Sequence, residues 1–126
     1  MKGSKKECSF GDLIYDEEGF LVLSSSVEQF SLENYEELLE SIKELSNGQL
    51  LPYMSDERGK QRYMDNDSKK YINDHMHKYV SACAIMEDSA VLRFLTHTFV
   101  AIYRPKVPIR MFKSENEARK WMKSFI

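Results

Sequence analysis

Apolar positions along this chain switch between a strand-like run and a helical stripe. Asp12-Leu13-Ile14-Tyr15 and Phe20-Leu21-Val22-Leu23 flank the turn-forming Asp16-Glu17-Glu18-Gly19, where glycine supplies the positive φ of a tight reversal. A hairpin is predicted there. Ser31 then caps a helix whose apolar positions, Leu32, Tyr35, Leu38, Leu39, Ile42 and Leu45, keep to one stripe, while Glu33, Glu36, Glu37, Glu40 and Glu44 form the outer face. Gly48 ends it as a left-handed C-terminal cap.

Gln49 to Met54 is short, apolar and bounded by turn formers, which predicts a strand; Pro52, lacking an N–H, places it at an edge or at a strand end. The polar run from Ser55 to Asp67 is a loop. A second helix from about Ser68 to Val80 gathers Tyr71, Ile72, His75, Met76 and Tyr79 on one face, and Ala82 to Met86 is a buried strand. Glu87-Asp88-Ser89 supplies caps and negative charge to the start of a third helix reaching Tyr103, which Pro105 and Pro108 stop. The chain closes on a strand before a helix, with Ser114 and Glu117 spaced as a capping box and Ala118, Trp121, Met122 and Phe125 on one apolar face.

Hairpin, helix, strand, helix, strand, helix, strand, helix is the order of an α/β protein with right-handed crossovers. The expected architecture is a mixed, mostly parallel sheet of about five strands with four helices. Residues 1–11 are expected as a flexible lead-in and 12–126 as a single domain. The 126 residues, 42% of them apolar, suffice for a core that stands without staples.

Charge and cysteine content narrow the function classes. A formal charge of −2 from nearly balanced acids and bases argues against the basic surface used in nucleic-acid binding. Cys8 and Cys83 lack the short spacing of zinc or redox pairs, so both are read as free thiols in a reducing cytoplasm. No long apolar run follows the basic N-terminus. Ala90 to Tyr103 is interrupted by Arg93 and His97 and falls short of the ~20 residues that span a bilayer, so it is read as a helix buried inside the protein.

Asp56 and Arg58 after the third strand, Ala82-Cys83-Ala84-Ile85-Met86 as the fourth, and Ile109-x-x-Phe112-x-Ser114-Glu115-x-Glu117-Ala118-x-x-Trp121 at the close make the chain resemble STAS-like domains related to anti-sigma-factor antagonists of the SpoIIAA type, in an uncharacterised bacterial branch. The resemblance implies a protein-interaction or regulatory module rather than an enzyme. Members of that superfamily switch partner binding by phosphorylation of a serine beside an aspartate after the third strand. Here that region reads Ser55-Asp56-Glu57-Arg58-Gly59, with Ser68 further on, and departs from the compact Asp-Ser-Ser-Gly pattern. A phosphate on Ser55 would add about two negative charges beside Asp56 and Glu57; one on Ser68 would gain from a helix start. Both serines also suit turns or caps.

No catalytic constellation stands out. His75 and His77, two residues apart on a helix, project to opposite sides and do not chelate one ion; His77 is expected in solvent. Cys83 lies in an apolar strand, where a thiol is inert. No nucleophile elbow, phosphate loop or dinucleotide fingerprint is present. The chain is therefore read as non-enzymatic, without a cofactor or metal.

The third helix carries the more useful clue. Val91, Leu92, Phe94, Leu95, Phe99, Val100, Ile102 and Tyr103 occupy more than the single stripe that a helix on one sheet face needs. The C-terminal helix, a second copy of the chain, or an apolar ligand must cover the remainder. Two functions follow. The first is a module, homodimeric and regulatory, that contacts an unidentified protein through Ser55 to Arg62, with Ser55, Asp56, Glu57, Arg58 and Ser68 as its residues. The alternative is a carrier or sensor of a small apolar ligand held between the third helix and the sheet by Phe94 and Phe99, with His97 or Tyr103 orienting its polar end.

Overall fold

The computed structural model describes residues 1–60 and 63–126. Six strands form one sheet in the order of their sequence: β1 (Ser4–Cys8), β2 (Gly11–Tyr15), β3 (Leu21–Ser25), β4 (Leu51–Asp56), β5 (Val80–Met86) and β6 (Ile109–Phe112). The pairs β1–β2 and β2–β3 are antiparallel; β3–β4, β4–β5 and β5–β6 are parallel. The helices are α1 (Leu32–Ser46), α2 (Asn66–His75), α3 (Ala90–Tyr103) and α4 (Glu115–Met122).

The sixth strand comes from the expected lead-in. Ser4–Cys8 pairs with β2 from Ser4 opposite Tyr15 to Cys8 opposite Gly11, so part of the 1–11 stretch is ordered in the sheet. The turn that joins the two strands needs its glycine. Gly11 has φ +145, and a Cβ there would meet the Ser24 carbonyl oxygen at 2.3 Å.

Pro52 is not at an edge, because β4 lies between β3 and β5. It sits at the start of a central strand, where a register shift between Leu51 and Pro52 accommodates the missing donor. Each helix starts on a side-chain cap. Ser31 and Asn34 exchange side-chain-to-backbone bonds at the head of α1, Asp65 receives the Ser68 N–H at 2.8 Å before α2, and Ser89 receives that of Leu92 before α3. At α4, Ser114 Oγ takes the Glu117 N–H, one half of the predicted box. Asn47, left-handed at φ 54, and then Gly48 close α1.

Right-handed crossovers that always step the same way across a sheet place their helices on one face. Leu13, Leu23, Tyr53 and Cys83 accordingly pack with Leu38, Leu39 and Ile42 of α1 and Ile72 of α2. The reverse face buries Met54, Ala84, Met86 and Phe112 against Ala118 and Met122 of α4. Arg119 fixes α4 to the β2–β3 turn, donating to Asp16 at 2.8 Å and Glu18 at 3.0 Å while Glu115 holds its Nε at 2.9 Å.

The third helix departs from expectation. Read as buried inside the protein, α3 buries none of its residues, and Val91, Phe94 and Ile102 are about two-thirds exposed. Its crossover returns to a sheet edge, where β6 has only four residues, so the floor beneath it is narrow. No helix of the described residues is long and apolar enough to cross a membrane.

Candidate functional site

A cavity of about 320 Å3 lies between α1, α2, α3 and the sheet. Tyr53, Cys83, Ile85 and Ile109 form its floor, and Leu38, Leu39 and Ile42 its α1 wall. Ile72 and Met76 close one side; Leu92, Leu95, Phe99 and Tyr103 of α3 form the roof. On α3 these residues recur at three- and four-residue steps, the spacing that aligns one face of a helix. The volume falls at the low end of the range for small-molecule pockets, and the lining is mostly apolar, as such pockets are.

Polar groups gather where β4 and β5 end. Ser55, Glu57 and Glu87 all line the cavity. The Ser55 hydroxyl donates to Glu57 Oε1 at 2.8 Å. Glu87 is 4% exposed, accepts the Ser89 N–H at 2.9 Å, and is pushed up from its ordinary value chiefly by burial. The Tyr53 phenol on the floor is likewise raised by burial, opposed by its bond with Ser55. Burial also pushes the Cys83 thiol up to about 12, which keeps it protonated and a poor nucleophile. The carboxyl ends of parallel strands are where α/β sheets commonly receive ligands.

The two sets of residues read separately from the sequence partly merge here. Ser55 and Glu57 of the proposed contact loop share one cavity with Phe99 and Tyr103 of the proposed pocket. Phe94 and His97 lie on the exposed side of α3 instead and do not line it. Asp56 and Arg58 face outward and hold each other, with Nε–Oδ1 3.0 Å and Nη2–Oδ2 2.9 Å. That pairing keeps the Asp56 carboxyl below its usual range. The end of the predicted contact loop, Gln61 and Arg62, lies outside the described residues.

Both serines are turned inward. Ser55 is 6% exposed and Ser68 fully buried; Ser68 stands inside the first turn of α2, behind the Asp65 cap. A phosphoryl group on either requires the surrounding chain to open. His75 stacks on Tyr71 at 4.6 Å between ring centroids. His77, expected in solvent, is half-buried, and burial with neighbouring Lys106 and Lys78 lowers its pKa. Among the described residues no group of three or more His, Cys, Asp or Glu is placed to hold a metal.

Tyr53 and Glu87 are site residues that sequence reasoning passed over. Glu87 reads as a cap in the sequence and does accept the Ser89 N–H, but its position directly after the apolar run Ala82 to Met86 is the signal that it is carried inside.

Residues 15–126 match the family model described as a domain of unknown function, DUF7793. The chain belongs to that family. No curated protein matches it. Among solved structures, the DUF7793 chain is similar to an uncharacterized protein of the DUF3478 family with a SpoIIAA-like fold from Shewanella loihica PV-4. The TM-score is 0.61 at 14% identity, covering 94% of this chain and 90% of that one. The DUF7793 chain thus has the SpoIIAA-like α/β fold expected from its sequence.

Proposed function

We propose that this chain is a non-enzymatic regulatory module that binds a small apolar or amphipathic molecule beneath α3 and presents the outer side of α3 to a protein. The observation that carries this reading is the cavity, roofed by a helix that buries none of its residues. A roof held so lightly can shift as the space below it fills, and a change in α3 is what a partner would read. The SpoIIAA-like architecture agrees with a binding role.

The test is uptake of a polarity-sensitive neutral dye, Nile red, by the purified chain. Stoichiometric fluorescence gain is expected in the parent, and its loss in Thr96→Trp, which fills the cavity from the roof. A parent that leaves the dye as dim as buffer does would overturn the reading.

The flank of α3 supports a second reading. Val91 and Phe94 lie exposed along it, next to the exposed parts of Leu95 and Ile102, which also border the cavity, and exposed apolar patches mark contact surfaces. A homodimer joined through this flank would be isologous. Phe94→Glu should then convert a dimer to a monomer in sedimentation without lowering the melting temperature. A parent that is monomeric at high concentration would remove this reading and leave the cavity untouched.

A further inference from the structure

Among the described residues lining the cavity, Glu87 is a buried carboxylate with no charged partner. The residue is 4% exposed, and its carboxylate is met by neutral backbone N–H groups, that of Ser89 at 2.9 Å and that of Asp88; no cation pairs with it among the described residues. Glu57, the other lining carboxylate, is already engaged by Ser55 among other contacts. Asp88, next in the chain, adds a like charge and is exposed. Among the described residues the one lining cation is Lys69, partly exposed on α2, whose long stem lets the ammonium reach water. A buried carboxylate facing an apolar space is costly unless a donor meets it, and a charged donor meets it best.

Resting on the reading of the cavity as a ligand site, we propose that its occupant is a cationic amphiphile: a primary amine with a medium-length apolar body, the ammonium donating to Glu87 and the body lying between Phe99, Tyr103 and Cys83. The arrangement assigns the two ends separately. The apolar floor and roof accept any body of suitable volume, and Glu87 sets the head.

Three probes with one body and different heads separate these assignments. Decylamine, decanol and decanoate, each below its micellar concentration, compete with Nile red for the unaltered chain. Decylamine should displace the dye at a concentration about tenfold lower than decanol, the usual gain from a hydrogen bond to a charged group; decanoate should be weakest. Glu87→Gln keeps an acceptor for Ser89 and should erase the amine preference, bringing decylamine to the level of decanol. Equal displacement by all three, or a preference for decanoate through Lys69, would overturn the head assignment and leave the cavity reading intact. Persistence of the amine preference in Glu87→Gln would remove Glu87 from its role. Failure of every probe, together with failure of the dye, would overturn both.

Discussion

Glu87 shows how a single side chain can be read twice from one position. As a helix-start residue it caps Ser89; as a buried carboxyl it is lifted above its ordinary value of 4.5. Between the unfolded and the raised folded value, the folded chain retains a proton that the unfolded chain has released. Stability therefore falls as pH rises through that window, and the deficit persists above it. Glu87→Gln has no such proton. The stability of the variant relative to the parent should rise as pH climbs from about 4 toward neutrality, measured by urea unfolding at several pH values; a flat difference would show an unperturbed carboxyl. Gly11 makes a separate demand at this scale. Gly11→Ala combines a strained φ with a Cβ 2.3 Å from a carbonyl oxygen, so a loss of about 2 kcal/mol or more is expected in the same assay. An unchanged midpoint would mean that the β1–β2 turn relaxes freely.

At the scale of elements, α4 owes its place to both an apolar stripe and a polar clip. Ala118 and Met122 are fully buried, while Arg119 bridges the helix to a turn about a hundred residues earlier in the chain. Arg119→Ala should cost about 2 kcal/mol, because Asp16, one-fifth exposed like Arg119 itself, and the more exposed Glu18 lose their shared partner. Arg119→Lys should restore less than half of that, since one ammonium does not reproduce the fork; full restoration would show that charge alone suffices. Elements were the scale most legible in the sequence. Ser31, Ser89 and Ser114 announced their helices, and the stripe through Leu38, Leu39 and Ile42 announced the buried face of α1. β1 escaped notice because Ser4-Lys5-Lys6-Glu7-Cys8 carries no apolar alternation: only Cys8 of its residues packs on the core. Its order comes from pairing with β2, which composition does not display.

For the whole molecule, the sequence led to the right layers but misjudged how tightly they close. The apolar surplus of α3 was visible, and so was the need for something to cover it. Which side faced the sheet depended on the length of β6 and on how far the helix stands above Ile85 and Ile109, distances set by other parts of the chain. Ser55 and Phe99 could not be joined from sequence for the same reason. Hydrogen exchange should distinguish the layers: amides of α3 are expected to exchange much faster than those of α1, since local opening is easiest where little is buried. Decylamine should slow α3 selectively. Uniform protection of both helices in the empty protein would contradict a loosely held roof.

The strand order has one more outcome. A sheet laid down in sequence order has two open rims, and an open rim invites other chains to add strands. Both are guarded here. On β1 stand Lys5, Lys6 and Glu7, and β6 is short, preceded by Pro108 and carrying an exposed Arg110. Such rims disfavour end-to-end stacking of copies into fibres. Replacing Lys5 and Lys6 with threonine should make the protein seed thioflavin-positive aggregates under conditions where the parent stays clear.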